Sequence, residues 1–123
     1  MKITANLIVP SIEDCLAFYV DRLGFTKQFD VPHDGVLGFV SLDRDGAELM
    51  LQSQASLGAD IANLDPKGFR GAIYLEVKKL APFRKALADW PPVIPERTTF
   101  YGAREIIVRD PAGNLVCLAS REA

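Results

Sequence analysis

The chain reads as an α+β protein in which a strand–helix–three-strand module occurs twice, and three observations predict this. Apolar residues recur with a period of about two, then about 3.6, then about two again in each half of the chain. The halves also match each other: a shift of 67 or 68 positions lays Ile12 on Leu80, Cys15 on Phe83, Tyr19 on Leu87 and the turn at 43–46 on that at 110–113. Finally, two helices with one apolar stripe each stand against eight short strands. The helices then cover one face of a largely antiparallel sheet and leave the other face open.

In the first module, residues 3–9 alternate as a strand, with Ile3, Ala5, Leu7 and Val9 on one face and Thr4, Asn6 and Ile8 on the other, and Pro10 stops it. Ser11 followed three positions later by Asp14 opens a helix, in which Ile12, Cys15, Leu16, Tyr19, Val20 and Leu23 recur at helical spacing up to Gly24. Strands over 25–31, 36–42 and 47–52 follow, separated by the turn-forming runs Pro32-His33-Asp34-Gly35 and Asp43-Arg44-Asp45-Gly46. Residues 53–68 lack strand periodicity and read as a connector with one helical turn near 60–64. The second module then repeats the order: strand 71–77, helix 80–90 with Leu80, Phe83, Leu87 and Trp90 in one stripe, and strands near 93–98, 104–109 and 115–120. The expected organisation is a single domain, 1–123, with modules near 1–53 and 70–123 and a linker near 54–69.

Alternation assigns the faces. Leu49, Leu51, Ile73, Leu75, Val77, Val116 and Leu118 point to the helices, whereas Glu48, Met50, Gln52, Ala72, Tyr74, Glu76, Leu115, Cys117 and Ala119 point to the open face. Asp110-Pro111-Ala112-Gly113-Asn114 suits a type I turn with a left-handed Gly113, which pairs Asp110 with Asn114. Counting outward, Val108 meets Val116 and Ile106 meets Leu118 on the helix side, and Glu105 and Ile107 join Cys117 and Ala119 on the open side.

Composition narrows the function classes. Apolar residues make up 49% and charged residues 24%, which excludes a disordered or collagenous chain. A formal charge of −2 provides no basic field for a phosphate backbone, so no nucleic-acid partner is expected. No apolar run reaches the ~20 residues of a membrane span, and the N-terminus lacks the h-region of a signal peptide, so a cytoplasmic location without membrane contact is expected. Cys15 and Cys117 lie far apart in apolar-periodic segments and read as reduced and packed.

Phe18-Tyr19 with Leu23-Gly24-Phe25, and Tyr101-Gly102-Ala103-Arg104-Glu105 running into Asp110-Pro111-Ala112-Gly113-Asn114, resemble the signature of the glyoxalase, bleomycin resistance protein and extradiol dioxygenase (vicinal oxygen chelate) superfamily. The resemblance spans nearly the whole chain. It implies paired βαβββ modules whose mostly antiparallel sheet curls around a cleft, with the helices on the outer face, usually in a homodimer. Neither motif is catalytic, so they identify the fold better than the reaction. Metal-dependent members place His and Glu ligands on the first and last strands of each module. Those positions fall here on Thr4, Met50, Ala72 and Cys117, none of them a carboxylate or an imidazole. No metal and no cofactor is therefore expected. A slip in register would bring Glu48 or Glu76 nearer to those positions.

The expected ligand-binding residues are Asn6, Phe39, Glu48, Met50, Tyr74, Glu76, Phe100, Tyr101, Glu105 and Cys117. Glu48, Glu76 and Glu105 would give an acidic wall for a cationic ligand, or serve only as exposed charges. Glu105 beside Arg104 would contact ligand or order the last hairpin, and both readings stand. Phe100 and Tyr101, before Gly102 in a loop, are the favoured aromatic pair, while Trp90 belongs to the helix stripe. His33 reads as a solvated turn residue and Cys117 as inert packing. The leading expectation is a metal-free, bleomycin-resistance-type protein that sequesters an apolar or cationic small molecule. The alternatives are a metal-dependent lyase, isomerase or dioxygenase of the same fold, proton transfer by Glu48, Glu76 or Glu105, and a purely interacting module.

Overall fold

The computed structural model describes residues 1–122, and the chain divides into two units, Met1–Arg70 and Gly71–Ala123. Strand pairing gives each unit its own four-stranded mixed sheet with the same internal order: the first strand lies parallel to the last, and the remaining pairs are antiparallel.

The first unit comprises β1 (Ala5–Val9), α1 (Ile12–Leu16) continuing into a wider π-helical turn (Ala17–Arg22), β2 (Thr26–His33), β3 (Val36–Arg44), β4 (Ala47–Ser53) and α2 (Gln54–Asp60), with sheet order β1-β4-β3-β2. Ser11 caps α1, its Oγ accepting the Asp14 N–H at 3.3 Å. The π turn changes the phase of the helix. Leu23 N–H reaches back five residues to Phe18 C=O, and Phe18 and Tyr19, adjacent in sequence, are both fully buried. Their rings meet edge-on at 5.0 Å, and Tyr19 meets Phe25 at 6.3 Å. A regular 3.6 period assigned Leu16 and Val20 to the stripe and left Phe18 out, yet Leu16 and Val20 are only half-buried. Gly24 at φ +77° ends the helix beneath the Arg44 guanidinium, which bonds Leu23 C=O. Ile12, Cys15, Val9, Val40, Leu42, Leu49 and Leu51 complete the core.

Three boundaries in this unit depart from the sequence reading. β1 begins at Ala5, leaving Ile3 exposed. β2 extends through Pro32 to His33, so His33 is a half-buried strand end rather than a turn residue, and the turn is Asp34-Gly35 alone, both at positive φ. The connector holds α2 at Gln54–Asp60 instead of a turn at 60–64. Ser53 at the end of β4 supplies the N-cap, its Oγ accepting the Ser56 N–H at 3.0 Å, and Leu57 is buried. Only one buried apolar residue anchors this helix, too few to show as periodicity. Ser53→Ala should therefore cost about 1 kcal/mol, read as a lowered urea midpoint at unchanged m.

The second unit comprises β5 (Ala72–Glu76), α3 (Ala81–Ala86), β6 (Arg97–Thr98), β7 (Arg104–Arg109) and β8 (Leu115–Ser120), with sheet order β5-β8-β7-β6. Leu80, Phe83 and Leu87 of the helical stretch are buried, as are Ile106, Val108, Val116 and Leu118. The final hairpin has the expected register: Ile106 pairs Leu118, Val108 pairs Val116, and Gly113 sits at φ +92°. The Asp110 carboxylate accepts the N–H groups of Ala112 and Asn114, and Asn114 Oδ1 accepts the Gly71 N–H at 2.7 Å, tying the turn to the start of β5.

The helix and the second strand of this unit are both shorter than 80–90 and 93–98. Pro91 disfavours helical backbone at Trp90, and Pro91, Pro92 and Pro95 offer no N–H to a ladder. What remains is the Arg97–Thr98 strand, a bridge between Pro92 and Val108, and the Val93 N–H on Ile107 C=O. Trp90 is half-buried outside the helix and donates from Nε1 to Arg109 C=O at 2.8 Å. Glu96 fastens this segment by accepting a bidentate pair from Arg84 and a third bond from Arg104, which together hold its carboxyl down at about 2. Among the described residues, no helix is long and apolar enough to cross a membrane.

Candidate functional site

The β6–β7 hairpin makes the most developed polar cluster. Its turn closes with the Gly102 N–H on Thr99 C=O and Gly102 at φ +86°. That geometry sets Arg97 opposite Glu105, and β8 and β5 extend the row through Ala119 to Glu76. Glu105 is only 2% exposed although it lies on the face away from the core residues Ile106 and Val108. Tyr101 folds back over it. The Tyr101 hydroxyl donates to Glu105 Oε2 at 2.8 Å, and Arg97 Nε donates to Oε1 at 3.0 Å. The Cys117 thiol also engages the carboxylate, the Tyr74 and Tyr101 hydroxyls interact, and the Arg121 guanidinium lies 5.9 Å from the Tyr101 ring centroid.

Electrostatics follows from this arrangement. Burial pushes the Glu105 carboxyl up, but bonds from Tyr101, Arg97 and Cys117, with the Arg97 charge, outweigh it and keep the group below the ordinary carboxylate range. The same bond raises Tyr101, because its proton is shared with an anion. Cys117 is pushed up to about 11 by burial and by the Glu105 charge. A thiol so poorly ionised is a weak nucleophile. Against an ordinary thiol at 9.0, the thiolate fraction at pH 8 falls roughly a hundredfold, and the greater reactivity of the more basic thiolate returns roughly tenfold. Cys117 should thus label at least about tenfold more slowly than an unstructured cysteine peptide, measured by mass spectrometry after timed alkylation. Labelling at the peptide's rate would contradict this environment.

The first unit's sheet has a different open face. Phe39 and Phe29 lie 5.7 Å apart, ring to ring, with Val31 paired to Phe39 and Met50 one strand away beside Ser41. Phe29 and Val31 are exposed, while Phe39 and Met50 are half-buried. Asn6 donates to Gln52 Oε1 at 3.1 Å, and Gln52 donates in turn to Ser56 Oγ at 3.2 Å. Glu48 lies at the strand's start, where Lys2 pairs with it.

A model of the glyoxalase/bleomycin resistance protein/dioxygenase superfamily matches residues 3–118. The chain belongs to that superfamily. Among solved structures it is similar to a superfamily member from Sphaerobacter thermophilus, at 27% identity and a TM-score of 0.75 over 98% of this chain and 96% of that one. It is also similar to lactoylglutathione lyase from Agrobacterium tumefaciens (18%, 0.77, 98% and 92%). A third likeness is to a bleomycin resistance determinant encoded on the transposon Tn5 (22%, 0.71, 100% and 99%). No curated protein matches the sequence. These likenesses include both a bleomycin resistance determinant and a lyase, and the fold alone does not choose between them.

The donors on this superfamily member do not fit the metal of its metal-dependent kin. Thr4, Met50, Ala72 and Cys117 offer a hydroxyl, a thioether, a methyl and a thiol that holds its proton. Glu48 is engaged by Lys2, and Glu105 by Arg97, Tyr101 and Cys117. Among the described residues, no three His, Cys, Asp or Glu side chains gather as a metal-binding group.

Of the ten expected site residues, Tyr74, Tyr101, Glu105 and Cys117 come together in the second unit, with Glu76 exposed in the same row as Glu105 and Phe100 fully exposed, edge-on to Tyr101 at 5.0 Å. Asn6, Phe39 and Met50 share the first unit's open face, with Glu48 in the adjoining row beside Asp43. The sequence reading missed Arg97 and Arg121. Arg97 was legible in principle, since a hairpin turning at Phe100–Gly102 pairs 97 with 105. Arg121 was legible as the next open-face position after Cys117 and Ala119.

Proposed function

We propose that this superfamily member is a metal-independent binding protein of the bleomycin-resistance type, which sequesters a small molecule with apolar surface against its open sheet faces. It acts as a homodimer in the cytoplasm, with no nucleic-acid partner. The observation that carries the reading is Glu105, a carboxylate 2% exposed on the side of the sheet away from the core. Burying a charge costs several kcal/mol unless it is paired and hydrogen-bonded, and this one is paired by residues that serve no core contact. Such a polar floor under Tyr101, which adjoins exposed Tyr74 and Phe100, is the pattern of a preorganised ligand surface. The Phe29, Val31 and Phe39 group supplies a second apolar surface. Of the three carboxylates considered for a cationic ligand, Glu48 and Glu105 already have cationic partners within the chain. Cys15 and Cys117 are thiols rather than a disulfide, which accords with a reducing compartment.

Thermal melts in the presence of a panel of aromatic metabolites test this. A ligand at one hundred times its Kd should raise stability by about 2.7 kcal/mol, a shift of several degrees in Tm. The shift should survive EDTA and weaken in Tyr74→Ala. Stabilisation abolished by EDTA and restored by a divalent metal would sink the metal-independent reading.

A further inference from the structure

We infer that the ligand held on the second unit's open face is an aromatic ring bearing an anionic group, a carboxylate or a phosphate ester, with Arg97 and Arg121 as its charge partners. This rests on the small-molecule-binding reading above and adds the sign of the ligand's charge.

Glu105, 2% exposed beneath its donors, offers a ligand no accessible oxygen. One oxygen takes Arg97 Nε and the other takes the Tyr101 hydroxyl, with Cys117 alongside. Its role is to aim the groups above it. Arg97 uses Nε for Glu105, and among the described residues its two terminal nitrogens make no hydrogen bond, while its side chain is 53% exposed. A guanidinium gripped through Nε presents its outer edge in the geometry that takes both oxygens of a carboxylate or phosphate. Arg121 adds a second guanidinium over the Tyr101 ring, with no ion pair among the described residues. Arg97 thus pairs with the internal anion and Arg121 lies over the ring of the tyrosine bonded to that anion, beside aromatic rings left largely in water: Tyr74, Tyr101 and Phe100. Exposed aromatic surface beside fixed donors selects a ring with an acceptor attached. The chain as a whole carries −2, so general electrostatics repels an anion and only local placement of charge can favour one. Glu76 is the opposing charge on this face. It stands two strands from Glu105, roughly 10 Å by strand spacing, about one Debye length at physiological salt.

Titration of the isotope-labelled protein, followed by amide NMR, distinguishes the outcomes with four ring probes: benzoate, phenyl phosphate, benzyl alcohol and benzylamine. Benzoate, phenyl phosphate or both should shift amides of residues 74, 97–105 and 117–121, with affinity at least fivefold above benzyl alcohol, and benzylamine should bind least. Which acid binds tighter identifies the anionic group as carboxylate or phosphate. Arg121→Gln, an exposed position, should weaken the acid by about three- to tenfold and leave benzyl alcohol unchanged. Glu76→Gln should strengthen it by up to about twofold. Benzylamine binding tightest, benzyl alcohol equalling the acids, or an Arg121→Gln variant with unaltered acid affinity would each overturn the charge assignment while leaving a ring-binding face. If none of the four probes moves these amides, both the inference and the binding role of this face fall.

Discussion

Glu105→Ala should lower stability by about 2–3 kcal/mol, or about 10 °C in Tm, a large effect for a residue on the side of the sheet away from the apolar core. The carboxylate accepts from Arg97, Tyr101 and Cys117 at once, and bonds to a charged group are worth more than neutral ones. Its loss leaves the Tyr101 hydroxyl only its contacts with Tyr74 and Thr99. The cost stays below the 3–5 kcal/mol typical of breaking a fully buried pair, because Arg97 is 53% exposed and water takes over its charge. Urea denaturation reads the change, and a loss under 1 kcal/mol would show that the cluster is only an exposed ion pair.

The partner variant behaves differently with pH. In the native chain Glu105 sits below its usual 4.5, so its contribution is complete above 4.5 and is lost as pH falls through the lower folded value. Without Arg97 the bond and the charge it supplies are gone while desolvation remains, so the folded carboxyl rises relative to the native chain. The variant's folded state then holds its proton to higher pH than the native one, so it gains less stability than the native chain as pH rises. Native and Arg97→Ala proteins should thus be closest in stability near pH 4 and diverge toward pH 7. Parallel stability curves would mean that Arg97 does not set the charge state of Glu105.

Much of the fold was legible because each module obeys its periodicities. The Asp110–Asn114 turn fixes one register, and that register puts Glu105 and Cys117 on the same face with no reference to a relative. The boundaries that moved did so for reasons periodicity does not encode. A π turn inserts Phe18 into the buried face, Ser53 starts a helix anchored by one leucine, and three prolines thin the strand before Thr98. Site chemistry was legible by face but not by partner. Alternation places a carboxylate on the open side, yet only the β6–β7 pairing reveals that Arg97 neutralises it, and only side-chain placement brings Tyr101 back over it. This is why an acidic wall is a natural inference from the sequence, while the structure sets the Arg97 guanidinium on the buried carboxylate.

Gly38→Ala should be the most damaging single methyl group in the first unit, at about 2–4 kcal/mol. Gly38 lies buried in β3 with ordinary backbone, so the glycine is required by space rather than by conformation. A Cβ there would stand 2.6 Å from His33 Cβ and 3.3 Å from Ser56 Cβ. Neither neighbour can swing aside. His33 Cβ is fixed by the end of β2, and Ser56 lies in α2 with its N–H bonded to the Ser53 cap and its Oγ to Gln52. The same crowding explains why β2 reaches His33: the imidazole stem fills the space that a side chain at 38 would claim. A reciprocal exchange follows. His33→Gly removes the nearest atom, so the double variant His33→Gly/Gly38→Ala should recover at least about 1 kcal/mol relative to the sum of the single changes, whereas His33→Ala, which keeps Cβ, should recover nothing. Additive losses in the glycine exchange would mean that the strand ends part easily, and that His33 is held by something other than the absence of a side chain opposite it.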